Sequence, residues 1–143
     1  MRVLALDLGT RRIGVAVSDP GGILASPAGT IERARHRGAD HRAVEALVAD
    51  LGVARVIVGL PLSLDGRTGP AAEAALAEAD QLRDLLAVPV ETWDERLTTV
   101  SADRSLRAGG SRRRAPARRR VIDQAAAAVL LQSWLDGRRG ATG

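Results

Sequence analysis

Val3-Leu4-Ala5-Leu6 is a run without a polar residue, closed by Asp7 and then by Leu8-Gly9-Thr10. A continuous apolar run of this length predicts a strand buried on both faces, over Arg2–Leu8. Ile13–Ser18 predicts a second strand after a glycine turn. Asp19-Pro20-Gly21-Gly22 then predicts a turn into a third, Ile23–Ile31, where Pro27 marks an edge or a bulge. Tight turns between the three predict an antiparallel meander. The period then changes. Val44, Leu47, Val48 and Leu51 recur at helical spacing, predicting a helix from about Asp40 to Leu51 that Gly52 ends. Ala54–Gly59 reads as a fourth strand, and Pro70 to about Leu86 as a helix with Pro at its first position. Val88–Trp93 reads as a fifth strand running into Asp94-Glu95. Leu97–Ala108 and Val121–Leu135 complete the pattern as helices, with residues 137–143 as a disordered tail.

This order predicts an α/β fold, a five-stranded mixed sheet flanked by helices, in one domain over residues 1–136. With 143 residues, 45% of them hydrophobic, the chain can bury a real core. Cysteine is absent, which excludes disulfides, thiolate metal sites and a cysteine nucleophile. Asp7 interrupts the first apolar run before a signal peptide can form, and Ala125–Leu131, the longest apolar stretch, is too short to span a bilayer. A cytoplasmic protein with no membrane partner is the expectation.

Charge changes the picture more. All 21 basic residues are Arg, which carries the pI to about 11.2 although the net charge is only +4. Residues 111–120 hold six of them, Arg112, Arg113, Arg114, Arg118, Arg119 and Arg120, and leave the remainder of the chain net acidic. Such a run is ordinarily a solvated loop. Beside a cluster of acids it reads better as a loop that grips phosphates. Trp93 and Trp134 are the only aromatic residues, so base stacking cannot be the main hold on nucleic acid. Both tryptophans read as packing residues.

Three acids stand at the ends of three predicted elements: Asp7 closing the first strand, Glu95 after the fifth, and Asp123 in the first turn of the last helix. Carboxylates converging from separate elements suit a hard divalent cation. Each also has an ordinary explanation. Asp7 could cap a turn, Asp94 or Thr98 could cap the following helix, and Asp123 could complement a helix dipole. Asp94 and Glu95 are adjacent, so on a strand only one can join Asp7. Asp65-Gly66 reads as a turn, and His36 and His41 carry no assigned chemistry.

The segments Leu6-Asp7-Leu8-Gly9-Thr10-Arg11-Arg12-Ile13-Gly14-Val15-Ala16, Val58-Gly59-Leu60-Pro61-Leu62 with Asp65-Gly66, Asp94-Glu95-Arg96-Leu97-Thr98-Thr99 and Val121-Ile122-Asp123-Gln124-Ala125-Ala126 resemble, in order, the motifs of the YqgF/RuvX family. Its members are described as Holliday junction resolvases or pre-16S rRNA nucleases. The resemblance spans roughly Val3 to Leu135 and implies a ribonuclease H-like fold. It implies a Mg²⁺- or Mn²⁺-dependent nuclease with Asp7, Glu95 and Asp123 as catalytic and metal-binding residues, Asp94 being second choice to Glu95. Arg11, Arg96 and the arginines of 112–120 become candidate nucleic-acid contacts. The implied partner is nucleic acid, pre-16S rRNA before branched DNA, with ribosomal partners beside it and a monomer or homodimer as the assembly. Asp7-Leu8-Gly9-Thr10 also resembles the first phosphate motif of actin-like ATPases and sugar kinases. Those proteins duplicate the fold, and this chain has length for one copy.

Overall fold

A computed structural model describes residues 1–98 and 116–142. Its strands are β1 (Val3–Leu8), β2 (Arg12–Ser18), β3 (Ala25–Glu32), β4 (Arg55–Leu60) and β5 (Val90–Asp94). Its helices are α1 (Arg37–Leu51), α2 (Pro70–Leu85) and α3 (Pro116–Thr142), with a 3₁₀ turn at Glu95–Leu97. The sheet order is β3-β2-β1-β4-β5. The first three strands form the antiparallel meander, and β4 and β5 add in parallel beside β1.

The sheet is covered on both faces, which is why β1 is nearly all apolar. Leu4, Leu6, Val56 and Val58 pack with Val44 and Val48 of α1 and with Ala79 and Leu82 of α2. Val3, Ala5, Ala16 and Ile57 pack under Ala127, Leu130, Leu131 and Trp134 of α3. Alternate residues of each strand therefore serve different layers.

Local chemistry explains the boundaries. β3 starts at Ala25 rather than Ile23, because Asp19 Oδ1 accepts the backbone N–H groups of Ile23 and Leu24, both at 2.7 Å, and holds them in the turn. Pro27 sits on an edge strand beside a register shift in the β2–β3 ladder. Gly52 ends α1 in the left-handed conformation, φ 63°. α1 begins at Arg37, three residues before the expected start, because the Asp40 carboxylate turns back to accept the Ala34 N–H at 2.7 Å.

Helix α3 differs most from expectation. It begins at Pro116 and runs to Thr142, through residues expected to form a tail. Proline at a first helical position loses no intrahelical donor. Arg118, Arg119 and Arg120 thus lie on a helix rather than in a loop, and Asp123 stands two turns inside it. Apart from Leu97 and Thr98, the helix expected over Leu97–Ala108 lies outside the described residues, as do Arg112, Arg113 and Arg114.

Candidate active site

Strand alternation places the first acid. Val3 and Ala5 lie under α3, so Asp7 projects from the same face; it is 4% exposed. Directly across the ladder is Gly14. A Cβ there would stand 2.2 Å from the backbone oxygen of Asp123, so the glycine is what lets α3 settle onto this strand pair. Asp123 is thereby brought over the strands that carry Asp7. On the other side of β1, Gly59 follows Val58, the parallel partner of Leu6. A Cβ on Gly59 would meet Glu95 Oε1 at 2.6 Å and Leu130 Cδ2 at 3.1 Å. Glycines on both flanks of Asp7 leave the room in which Glu95, 1% exposed, lies under α3.

The β5 end turns the two neighbouring acids to opposite sides. Trp93 Nε1 donates to Ser133 Oγ at 3.0 Å and Trp134 Nε1 to Glu91 Oε2 at 2.6 Å, so odd-numbered residues of β5 face α3 and Glu95 continues that parity. Asp94 faces away. Its carboxylate accepts the Arg96 backbone N–H at 2.9 Å and is gripped by Nε and Nη2 of the same arginine. Arg96 first, with some opposition from burial, holds the Asp94 carboxyl below the usual carboxylate range. Asp94 caps the 3₁₀ turn. Arg96 is correspondingly committed, while Arg11 is exposed at the β1–β2 turn.

Asp123 is held differently. Its Oδ2 lies 3.3 Å from Nη1 of Arg12, whose Nε lies 3.6 Å from Glu32 Oε1. Among the described residues no three carboxylate or imidazole groups stand close enough to share one ion. Asp7, Glu95 and Asp123 are carboxylates without a softer neighbour, a donor chemistry that would suit a hard divalent cation. Asp7 and Glu95 share the face, and the Asp123 carboxylate is turned to Arg12.

A family model described as RuvX, Holliday junction resolvase, matches residues 1–137. The chain belongs to the RuvX family. Curated relatives include a protein of Mycolicibacterium paratuberculosis, 54% identical over 142 residues, which cover 99% of this chain and 83% of that one. One from Mycobacterium leprae is 54% identical over 99% of this chain and 76% of its own. One from Myxococcus xanthus is 49% identical, covering 97% and 90%. All three bear the provisional name pre-16S rRNA nuclease. A solved Thermus thermophilus RuvC in complex with a Holliday junction substrate superposes with a TM-score of 0.60 at 18% identity, covering 98% of this chain and 97% of that one. At that identity the likeness establishes the ribonuclease H-like fold alone.

Two features of this RuvX-family chain escape a reading by motif. The first is Arg12, whose partner Asp123 is 111 residues away and is met only through the β2–α3 packing. The second lies behind the sheet. Glu78, 2% exposed, accepts from Arg33 at 2.6 and 3.0 Å and from Arg37, and lies 2.9 Å from His41 Nε2. Arg33 also bonds Asp40 and, through Nε, the Gly9 carbonyl at 3.0 Å. This network borders a cleft of about 370 Å³ between the β1–β2 turn and the two helices. Its signal was present: Glu78 falls among Ala75, Ala79 and Leu82, a charged residue on the apolar stripe of α2.

The glycine at β4 gives a direct test of the shape of the site. Gly59→Ala changes no carboxylate but displaces the Glu95 Oε1 end, which can yield without moving backbone. The expected outcome is a cleavage rate reduced by about tenfold or more with a melting temperature within a few degrees of wild type. Rate assays beside calorimetry check it, and an unchanged rate removes Glu95 from the site.

Proposed function

We propose that this chain hydrolyses phosphodiester bonds in the maturation of the 5′ end of pre-16S rRNA. The observation that carries the reading is the pair of buried acids, Asp7 and Glu95, on one sheet face, with Asp123 delivered above them by α3. Three acids from three elements, one of them on a helix whose first turns carry arginines, suit a phosphate-bound divalent ion, and the names carried by relatives half-identical over nearly all of this chain favour ribosomal RNA.

Asp7, Glu95 and Asp123 would hold Mg²⁺ or Mn²⁺. Such an ion, when bound, lowers the pKa of its water and offsets charge on a phosphoryl oxygen. The chain's own residues supply the rest. Asp7 fixes negative charge on the central strand. Arg118 and Arg119 on the first turns of α3, and Arg11 at the β1–β2 turn, offer guanidiniums to backbone phosphates and set register without reading bases. Trp93 is spent on packing against α3 and Trp134, on α3, on packing against the sheet, so recognition rests on shape and backbone, with ribosomal partners adding selectivity. The histidines stand with the α1 layer, His41 against Glu78, and take no part at the carboxylates. No helix among the described residues is long and apolar enough to cross a membrane.

The second reading is cleavage of branched DNA, favoured by the description of the matching family model, and it calls for a homodimer with two symmetric sites. One assay separates them. Purified protein with Mg²⁺ or Mn²⁺ is given a pre-16S fragment, a scrambled RNA of equal length and a four-way DNA junction. Cleavage of RNA, selective only on the structured precursor, is expected. Symmetric junction cutting without RNA cleavage would promote the second reading.

A further inference from the structure

Arg12 begins β2 and is only 11% exposed at its side chain. Its guanidinium lies between two carboxylates, Asp123 Oδ2 at 3.3 Å and Glu32 Oε1 at 3.6 Å. Glu32 is in turn met by Arg120 Nη1 at 3.2 Å, so charges alternate in a line: Arg120, Glu32, Arg12, Asp123. The line joins the β2–β3 edge to α3, and its inner end is one of the three candidate ligands. An Arg contact and a divalent ion draw on the same carboxylate lone pairs, and a guanidinium beside a bound cation is repelled by it.

We propose that Arg12 is a positioning residue that restrains metal loading: it holds Asp123 until an ion displaces it, and Glu32 receives the released guanidinium. This rests on the three-carboxylate reading above. Glu32 is suited to the second role because its Oε1 already lies 3.6 Å from Arg12 Nε and its side chain is 55% exposed. Gly14 limits the alternative in which α3 itself shifts, since the Asp123 backbone already sits on that glycine. The adjustment therefore falls to side chains. A guanidinium that merely oriented Asp123 for the metal, as partners of metal ligands commonly do, would have the opposite effect on affinity.

The sign of one measurement decides. Mn²⁺ binding to the full chain is measured by calorimetry and by the loss of free-Mn²⁺ paramagnetic signal, without substrate. Arg12→Gln should tighten Mn²⁺ by about tenfold, the equivalent of ~1.4 kcal/mol of released ion pair. Glu32→Gln, a change at an exposed side chain that leaves the fold intact, should weaken it by about threefold, because the guanidinium loses its second seat. Weaker binding in Arg12→Gln, or an unchanged affinity in Glu32→Gln, overturns the proposal. Asp7→Asn is the control for the underlying reading. If it binds Mn²⁺ like wild type, the measured ion is not at these carboxylates and both readings fall. If it loses Mn²⁺ while Arg12→Gln does not gain, only the role of Arg12 falls.

Discussion

Asp7→Asn is expected to abolish cleavage, by about a thousandfold or more, in a protein that remains folded and still binds nucleic acid. The amide keeps the volume of the carboxylate on a central strand where there is no slack: Gly14 lies across the ladder and α3 lies on the same face. What is lost is the charge. A hard cation gains little from a neutral amide oxygen compared with a carboxylate, and several kcal/mol of charge stabilisation at a reacting phosphate translate into three or more decades of rate. The arginines of α3 are untouched, so affinity persists. Glu95→Gln should behave in the same way, since Glu95 shares the buried face. Asp94→Asn should keep most of the activity and cost about 1 kcal/mol of stability, because Asp94 serves as a cap and a partner of Arg96. Single-turnover rates with circular dichroism on the same samples check all three. A fast Asp7→Asn variant would remove the carboxylates from the chemistry, and a dead Asp94→Asn beside an active Glu95→Gln would exchange the neighbours.

Much of this site was legible in the chain because strands report their own geometry. Alternation along residues 3, 5 and 7 sets the face of Asp7, and alternation also says that only one of Asp94 and Glu95 can join it; which of the two faces α3 follows from the Trp93–Ser133 and Glu91–Trp134 contacts, which no local pattern announces. Pro27 announced both an edge and an irregular register. Less of the last helix could be read. Proline opens α2 at Pro70 and opens α3 at Pro116, yet at Pro116 the signal is buried in a run of arginines that resembles a loop. Placing the start five residues late put Asp123 in a first turn, where a helix dipole could account for it. Two turns in, that explanation lapses, since the dipole acts within the terminal turn. The Arg12–Asp123 pair was beyond local reasoning, because which of 21 arginines meets which acid is decided by the β2–α3 packing.

The largest stability effect should come from a residue outside the candidate site, Glu78. Burial alone would raise its carboxyl. Hydrogen bonds and charge from Arg33, with His41 and Arg37, outweigh burial and hold it below its ordinary 4.5. Glu78→Ala would strand Arg33, 13% exposed at its side chain, with Asp40 as its remaining acid, and would leave His41 facing a gap. Breaking a buried pair from one side costs about 3–5 kcal/mol, or a melting temperature lower by on the order of 10 °C in a chain of this size. The pH dependence has a definite sign. A carboxyl with a depressed folded pKa contributes its full stability above the unfolded value near 4.5, and loses it as pH falls through the folded value. The gap between wild type and Glu78→Gln should therefore be widest near neutrality and close progressively below pH 4.5. Urea unfolding of both proteins across that range checks it. A Glu78→Ala cost under about 1 kcal/mol would class these contacts with solvated surface pairs. A large cost would also identify what holds the turn after Asp7, because Arg33 ties this network to the Gly9 carbonyl and its own N–H to that of Arg11.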